Sequence, residues 1–204
     1  WHRDHWKTRA IGGVGLIMSE ATAIRPDGKL TENDLCLFNK RQSNKFKSAI
    51  NQIHDLDAKF GIQLVHCGRK SWGKEKGKGK FKLISSSAIA FDNGWVTPNA
   101  LTEYEINKIT DDFAASALLA KDSGADLIEI HAAHGYLIHS FLSPISNKRN
   151  DDYGGNLEGR AKILKDITLA IRNNIPDTVP LFCRISAVDG LENGWALGDS
   201  VILS

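Results

Sequence analysis

Residues 124–136 read Gly-Ala-Asp-Leu-Ile-Glu-Ile-His-Ala-Ala-His-Gly-Tyr, an apolar run that ends in two histidines and a tyrosine. The part from Leu127 to His131 is mostly apolar without strict alternation, which predicts a strand of a parallel sheet covered on both faces. Three further runs have the same character: Val14 to Ser19, Ile62 to His66 and Leu181 to Ser186. The chain is therefore predicted to contain four buried parallel strands.

Helical patterns follow the first three predicted strands. In each of them apolar residues recur at the spacing of a helix that packs one face on a sheet. The sets are Phe46, Ile50, Ile53 and Phe60; Ile106, Ile109, Phe113 and Ala117; and Ile163, Leu164, Ile167, Ala170 and Ile171. Thr102 and Glu105 predict a capping box at the start of the second helix. Gly61 and Gly124 are predicted to mark junctions between a helix and the next strand.

The resulting order, β-α-β-α-β-α-β, is typical of a doubly wound sheet or of a (β/α)8 barrel. A dinucleotide fingerprint would place its glycines after the first strand, whereas Gly12, Gly13 and Gly15 precede it. The fold is therefore predicted to be α/β, a (β/α)8 TIM barrel of which residues 1–204 form a partial domain, about half. Because the chain begins at Trp1 and ends just after a new apolar run has started, we interpret it as a segment of a longer protein.

Composition argues against several classes of function. A net charge of +2 is too small to predict a nucleic-acid partner. No apolar run approaches the ~20 residues of a membrane span, so no membrane association is expected. Cys36, Cys67 and Cys183 are too dispersed for a disulfide framework or a zinc pattern, which predicts a reducing, cytoplasmic location.

One segment of low complexity, Gly73 to Lys80, reads Gly-Lys-Glu-Lys-Gly-Lys-Gly-Lys. Its composition predicts a mobile, solvated loop. A second interpretation is a lid that attracts an anionic cofactor, because the segment follows the carboxyl end of a strand.

His131 and His134 stand where a barrel would place active-site groups, at the carboxyl end of a strand. Two imidazoles on one oxygen would polarise a carbonyl group, and the Tyr136 hydroxyl would supply a proton. A zinc site would need a third ligand, which the sequence does not supply nearby. The remaining alternative is that both histidines are hydrogen-bonded core residues.

Gln63 and Arg184 hold similar positions on two other predicted strands. The Gln63 amide, with one acceptor and two donors, suits a ring edge of alternating C=O and N–H groups. Arg184 carries a permanent positive charge suited to a developing anion. The structural alternatives are an amide bonded to a loop and an ion pair between Arg184 and Glu129 across the sheet.

Four blocks of this sequence, in order, resemble the Old Yellow Enzyme family of FMN-dependent ene-reductases. The blocks are Ser19 to Ala23, Gly61 to Lys70, His131 to Pro144 with the following Asn147, Arg149, Asp152 and Tyr153-Gly-Gly155, and Pro180 to Ser186. The resemblance spans essentially the whole chain, from just before the second barrel strand to just after the fifth. His131-x-x-His134 in place of His-x-x-Asn, with the Gly-Arg-Lys turn, resembles the bacterial, thermophilic-like branch.

The resemblance implies a role for each of these residues. Ala21 contacts the flavin through its backbone, and Gln63 and Arg184 bind the isoalloxazine edge. His131 and His134 bind the carbonyl oxygen of an α,β-unsaturated substrate, and Tyr136 is the proton donor. The reductant is NAD(P)H, and a homo-oligomer is possible for the full-length protein.

Two features depart from the family pattern or limit it. Glu158-Gly159-Arg160 stands where the family usually has Glu-Asn-Arg, and a glycine there is expected to weaken the helix by roughly 0.5–1 kcal/mol relative to alanine. The first strand and strands six to eight, with the phosphate site, fall outside this chain. Two rival functions therefore remain: a dienoyl-CoA reductase-like flavoenzyme and a non-catalytic half-barrel remnant.

Overall fold

The computed structural model describes all of residues 1–204. Its helices are α1 (His2–Ile11), α2 (Lys40–His54), α3 (Glu103–Asp122), α4 (Leu137–Leu142), α5 (Leu157–Arg172) and α6 (Leu197–Leu203). Its strands are β1 (Leu16–Met18), β2 (Thr22–Ala23), β3 (Lys59–Val65), β4 (Ile84–Ser85), β5 (Asn99–Ala100), β6 (Leu127–Ala132) and β7 (Leu181–Ile185). No helix is both long enough and apolar enough to cross a membrane.

The main sheet is parallel and its strands lie in the order β1-β3-β6-β7, with β2 pairing to the end of β3. The four predicted strands are thus confirmed, and they adjoin one another in sequence order. Helices α2, α3 and α5 connect them, so each connection is a βαβ unit of the kind that builds parallel sheets. The sheet does not close on itself within these residues, as expected for part of a barrel.

The outer face of the sheet packs against the helices. Phe60, Ile62, Leu64, Ile128 and Ile130 are at most 1% exposed and belong to one core cluster of 35 residues. That cluster also contains the apolar stripes of α2, α3 and α5. Burial of each such side chain is worth about 1.5–3 kcal/mol, so the helix–sheet contact holds this part of the fold together.

The predicted helix and strand boundaries need two corrections around Phe60. Helix α2 ends at His54, so Phe60 belongs to β3 and not to the helical stripe. Gly61 is a residue of the same strand, where any Cβ would overlap the Met18 sulfur. The glycine therefore admits a neighbouring side chain and does not end a helix. Gly124, with φ of +87°, follows α3 as predicted, and the capping box of Thr102 and Glu105 is present.

A one-residue bulge interrupts the pairing of the first strand with β3. Met18 pairs with Gly61 and Thr22 with Leu64, which leaves three residues between the pairs on one strand and two on the other. The predicted strand at Val14 to Ser19 corresponds to β1 alone, and the pairing with β3 resumes beyond its predicted end, at β2. A bulge of this kind leaves one residue outside the ladder and turns its peptide groups to a new direction.

The lysine-rich segment, Gly73 to Lys80, is a loop with defined backbone contacts. Gly79 lies so close to the Trp72 ring that a Cβ would overlap the indole. The Gly77 N–H donates to Trp72 O at 3.0 Å, and the Val96 N–H donates to Lys76 O at 3.0 Å. The segment is a loop whose five charged side chains are exposed, as a solvated loop requires, and packing on Trp72 together with backbone hydrogen bonds defines its path.

Candidate functional site

The inner face of the sheet carries a row of polar side chains near the carboxyl ends of three strands. Gln63 pairs in register with Glu129, and His131 pairs with Arg184. Residues in register on parallel strands point to the same face, and so do residues two apart on one strand. Gln63, Glu129, His131 and Arg184 therefore face the same side, as the sequence predicts for three of them.

A groove at this face is lined by residues of the bulge, β3, β6 and β7, including Ala21, Gln63 and Arg184. The three residues predicted to hold a flavin are therefore brought together, although they are 42 and 121 positions apart in sequence (63 − 21 and 184 − 63). This assembly follows from the register of the parallel strands, which places their carboxyl ends side by side.

Gln63 is bound to a carboxylate and not to a loop. Its Nε2 donates to Glu129 Oε1 at 2.6 Å, and its backbone N–H donates to Ser19 Oγ at 3.1 Å. Because the Nε2 end of the Gln63 amide faces Glu129, the Oε1 end of Gln63 points away from Glu129. Glu129 is thus an orienting residue for Gln63. Its position two residues before His131, on the same face, was the sequence signal that could have identified it.

Arg184 lies exposed on β7, and its guanidinium forms no ion pair. The predicted alternative, an Arg184–Glu129 pair, is not formed, since the Glu129 carboxylate instead accepts from Gln63. The Arg184 charge nevertheless acts on its neighbours, because it adds to the effect of burial in lowering the pKa of both His131 and His134. Its donors are available to an acceptor in the groove.

Ala21 lies in the bulged segment, between the two parts of the ladder. None of the backbone hydrogen bonds involves its N–H or C=O. The segment around it is nonetheless held firmly, because both the Ser19 and Thr22 hydroxyls donate to Glu20 O at 2.9 Å. The Glu20 side chain accepts from Trp6 Nε1 at 3.0 Å and so has a structural role. Unpaired peptide groups on a fixed segment are suited to a planar ligand edge.

His131 and His134, the histidine pair, are hydrogen-bonded to each other. His131 Nδ1 accepts the Ala133 N–H at 3.2 Å, and His131 Nε2 lies 3.0 Å from His134 Nδ1. A neutral ring that accepts at Nδ1 carries its proton on Nε2. His131 therefore donates to His134, whose own proton is on Nε2. The hydrogen bonds thus form a chain in which the Ala133 N–H donates to His131 and His131 donates to His134. The Nε2–H of His134 remains at the exposed edge of the pair.

The histidine pair is neutral at physiological pH. Burial lowers the pKa of His131 to about 3, and the nearby charges of His134 and Arg184 act in the same direction. Burial, Arg184 and Lys70 also lower the pKa of His134, which is more exposed. A neutral imidazole can polarise an oxygen through its N–H without first having to lose a proton.

The backbone at His134 is strained in a way that presents its ring. His134 has φ of +60° and Gly135 has φ of +72°, so two consecutive residues are left-handed. A left-handed residue with a side chain costs about 1–2 kcal/mol. The turn is held by the His134 N–H, which donates to Ser186 Oγ at 2.9 Å, and by Lys70 Nζ, which donates to His134 O at 3.0 Å. A strained backbone that surrounding hydrogen bonds hold in place is typical of functional sites.

Tyr136 completes the group of aromatic side chains. Its ring centroid lies 4.9 Å from that of His131 and 6.2 Å from that of His134. Burial raises the pKa of Tyr136 to about 12, with smaller contributions from Cys67 and Asp34. The phenol therefore remains protonated under ordinary conditions, as a proton donor requires.

A second hydrogen-bonded group supports this turn, and no local pattern of residues predicts it. His139 Nδ1 accepts the Gly135 N–H at 3.0 Å, and His139 Nε2 donates to Asp189 Oδ1 at 2.8 Å. Asp189 also accepts from the Ser143 hydroxyl and from the Trp195 N–H. This network joins the start of α4 to the segment after β7, a contact between residues 50 apart.

Metal ligation finds no support among these residues. No group of three or more histidines, cysteines or acidic residues is arranged to hold a metal ion. His66, at the end of the predicted strand Ile62 to His66, is buried and does not line the groove; its Nε2 lies 3.7 Å from Asp27 Oδ1.

Parallel βαβ units with polar side chains at the carboxyl ends of their strands are the arrangement found at the active-site face of TIM-barrel enzymes. The chain belongs to the NADH:flavin oxidoreductase / NADH oxidase family, whose model matches residues 1–202. Membership implies FMN as the cofactor.

Curated relatives named NADPH dehydrogenase are similar over nearly all of this chain. The Listeria welshimeri protein is 43% identical over 201 residues, covering 98% of this chain and 57% of that protein. The Bacillus subtilis protein is 40% identical over 201 residues, with the same coverage. The chain thus spans a little over half the length of these relatives.

Solved structures confirm the fold as part of a TIM barrel of the Old Yellow Enzyme type. Morphinone reductase superimposes with a TM-score of 0.81 at 27% identity, over 90% of this chain and 52% of that chain. Old Yellow Enzyme from Pichia sp. AKU4542 gives 0.83 at 24% identity, over 96% and 53%. A 2-naphthoyl-CoA reductase complex gives 0.91 at 27% identity, over 99% of this chain and 32% of that chain.

Proposed function

We propose that the protein containing this chain reduces the C=C bond of α,β-unsaturated carbonyl compounds with NADPH as reductant. The observation that carries the proposal is the register of His131 with Arg184 on the inner face of the sheet. It places neutral N–H donors for a substrate oxygen next to a cation for a flavin edge. Neither Arg184 nor the histidine pair forms an ion pair within the chain.

The groove residues fit the edge of an isoalloxazine ring. The free peptide groups of Ala21, the oriented amide of Gln63 and the unpaired guanidinium of Arg184 offer both donors and acceptors along one line. FMN, when bound, supplies the hydride that the reaction transfers. Arg184 would stabilise negative charge at that edge, and Glu129 would keep the amide in a single orientation.

The histidine pair and Tyr136 would then act on the substrate. His134 presents an N–H at the exposed edge of the pair, and His131 supplies a second donor if its bond to His134 is exchanged for one to the substrate. Polarising the carbonyl oxygen makes the β-carbon electrophilic. Tyr136, which stays protonated, would deliver a proton to the α-carbon.

The test compares variants of the full-length, FMN-loaded protein in stopped-flow reoxidation by cyclohex-2-enone. Losing one preorganised donor typically costs on the order of 10²–10³ in rate, so His131→Ala and His134→Ala are each expected to slow reoxidation to that extent. Lys45→Ala, an exposed residue on α2, serves as the control. Parent-like rates in both histidine variants would remove the pair from the reaction.

A second candidate, reduction of a CoA thioester, is favoured by one observation. The superposition on 2-naphthoyl-CoA reductase covers 99% of this chain with a TM-score of 0.91. Against it, identity to that structure is 27%, whereas identity to the NADPH dehydrogenases reaches 43%. Comparing kcat/KM for cyclohex-2-enone and for an unsaturated acyl-CoA separates the two, since a CoA-specific enzyme would strongly prefer the thioester.

A further inference from the structure

A small cavity, separate from the groove of Ala21, Gln63 and Arg184, borders His134 of the histidine pair. Its volume is about 220 Å³, and its walls include Arg69, Phe91, His134, Ser186 and Val188. Pockets that hold whole ligands are usually larger, roughly 300–1,000 Å³. The cavity is therefore the size of a subsite for one substituent of a molecule whose main body lies elsewhere.

Arg69 is the cationic residue of this cavity, and few of its hydrogen-bond donors have partners. The residue is only 8% exposed. Its Nε has no hydrogen-bond partner, and its guanidinium makes a single long contact, from Nη1 to Ile89 O at 3.4 Å. Burying a cation without a partner is costly, and buried charges in proteins are normally paired.

Asp189, the nearest acidic residue of the cavity wall, does not neutralise Arg69 by direct contact. Its carboxylate is already occupied by the His139 ring, the Ser143 hydroxyl and the Trp195 N–H. Phe91 covers the site from above, with the Arg69 guanidinium carbon 5.8 Å from its ring centroid. The guanidinium is thus shielded from solvent and left with free donors.

We propose that Arg69 forms an anionic subsite, which binds a carboxylate substituent of the enone while the histidine pair holds its carbonyl oxygen. His134 borders both the pair and the cavity, so a ring bound at the pair can extend a substituent past it. The inference rests on the proposed function. It assigns that function a substrate class, α,β-unsaturated ketones that carry a carboxylate.

The test uses two saturated ketones that bind without reacting, 3-oxocyclohexane-1-carboxylate and its methyl ester. They have nearly the same shape and differ in charge. Dissociation constants are measured from the change in FMN absorbance of the full-length, oxidised protein. Because a hydrogen bond to a charged group is strong, the acid is expected to bind about 10- to 100-fold more tightly than the ester. Equal binding of the two ligands would overturn the proposal without any variant.

Two variants locate the effect. Arg69→Gln is expected to abolish the preference and leave ester binding unchanged, whereas Arg69→Lys is expected to retain part of the preference. Arg41→Gln, which removes an exposed arginine on α2, is the charge-matched control and should behave as the parent.

Two results would refute the assignment of Arg69. One is a preference that persists in Arg69→Gln, and the other is a loss confined to NADPH binding, which would identify a nucleotide phosphate as the anion. Turnover of cyclohex-2-enone is followed in parallel. If the proposed function fails, this neutral substrate is not reduced by any variant, including the parent. If only the subsite fails, it is reduced normally.

Discussion

Replacing Gly159 with alanine is expected to destabilise the protein, although alanine is the better helix former. Gly159 is the third residue of α5, and a Cβ there would overlap Gly154 O and lie 3.3 Å from Asp152 O. The first contact is with backbone, so the turn before the helix would have to shift by about 1 Å to restore an ordinary van der Waals separation. Such overpacking costs about 1–3 kcal/mol, against a gain in helix propensity of at most about 1 kcal/mol.

The expected net change is a loss of about 1 kcal/mol in the free energy of unfolding. The assay is urea unfolding of the full-length protein, followed by circular dichroism at constant FMN concentration because ligand binding shifts apparent stability. Gly198→Ala is the matched control. Gly198 is the second residue of α6 and an added methyl group would meet no atom within 4 Å, so the same change should stabilise by about 0.5–1 kcal/mol. Stabilisation by Gly159→Ala would show that the close approach does not exist.

Three further predictions concern pH and ligand binding. Although burial opposes its ionisation, hydrogen bonds from the Phe60 N–H, His54 and Lys59 lower the pKa of Asp126. Its stabilising contribution is therefore present above about pH 4 and is lost as the pH falls further, and Asp126→Asn should flatten that part of the dependence of stability on pH. Arg184→Gln should weaken FMN binding about tenfold by loss of a charged hydrogen bond, which fluorescence titration would detect; unchanged affinity would contradict its role. Tyr136→Phe should slow reoxidation by enones, and the parent rate should show no ionisation of this residue below about pH 10, because its pKa is about 12.

The strands, and the position of Gln63, His131 and Arg184 near their carboxyl ends, could be predicted because these signals are local. Runs such as Leu127 to His131 are long enough to identify a buried strand, and parallel strands necessarily bring their carboxyl ends together. The prediction for Phe60 was wrong because that signal is local as well. An apolar residue fits both a helical stripe and a strand, and only the end of α2 at His54 decides between them.

Other features could not be predicted because they depend on contacts between distant residues. The bond from His139 to Asp189 spans 50 positions, and the orphaned guanidinium of Arg69 is defined by the absence of a partner in three dimensions. Replacing Gly159 with alanine is also expected to lower the free energy of unfolding, whereas helix propensity alone predicts an increase. Propensity describes an isolated helix, whereas here the carbonyl of Gly154 occupies the space that a methyl group needs.

The hydrogen bond between His131 and His134 makes ligand binding at this site an exchange reaction. A carbonyl oxygen that contacts both rings must displace the existing bond, so its affinity reflects two bonds formed less one broken. The net gain in binding free energy is small for a weakly basic oxygen and increases as the electron density on that oxygen grows. Selectivity should therefore rank compounds by the basicity of the bound oxygen, and nitrogen-15 chemical shifts would record each exchange as a change in hydrogen bonding at His131 Nε2 and His134 Nδ1.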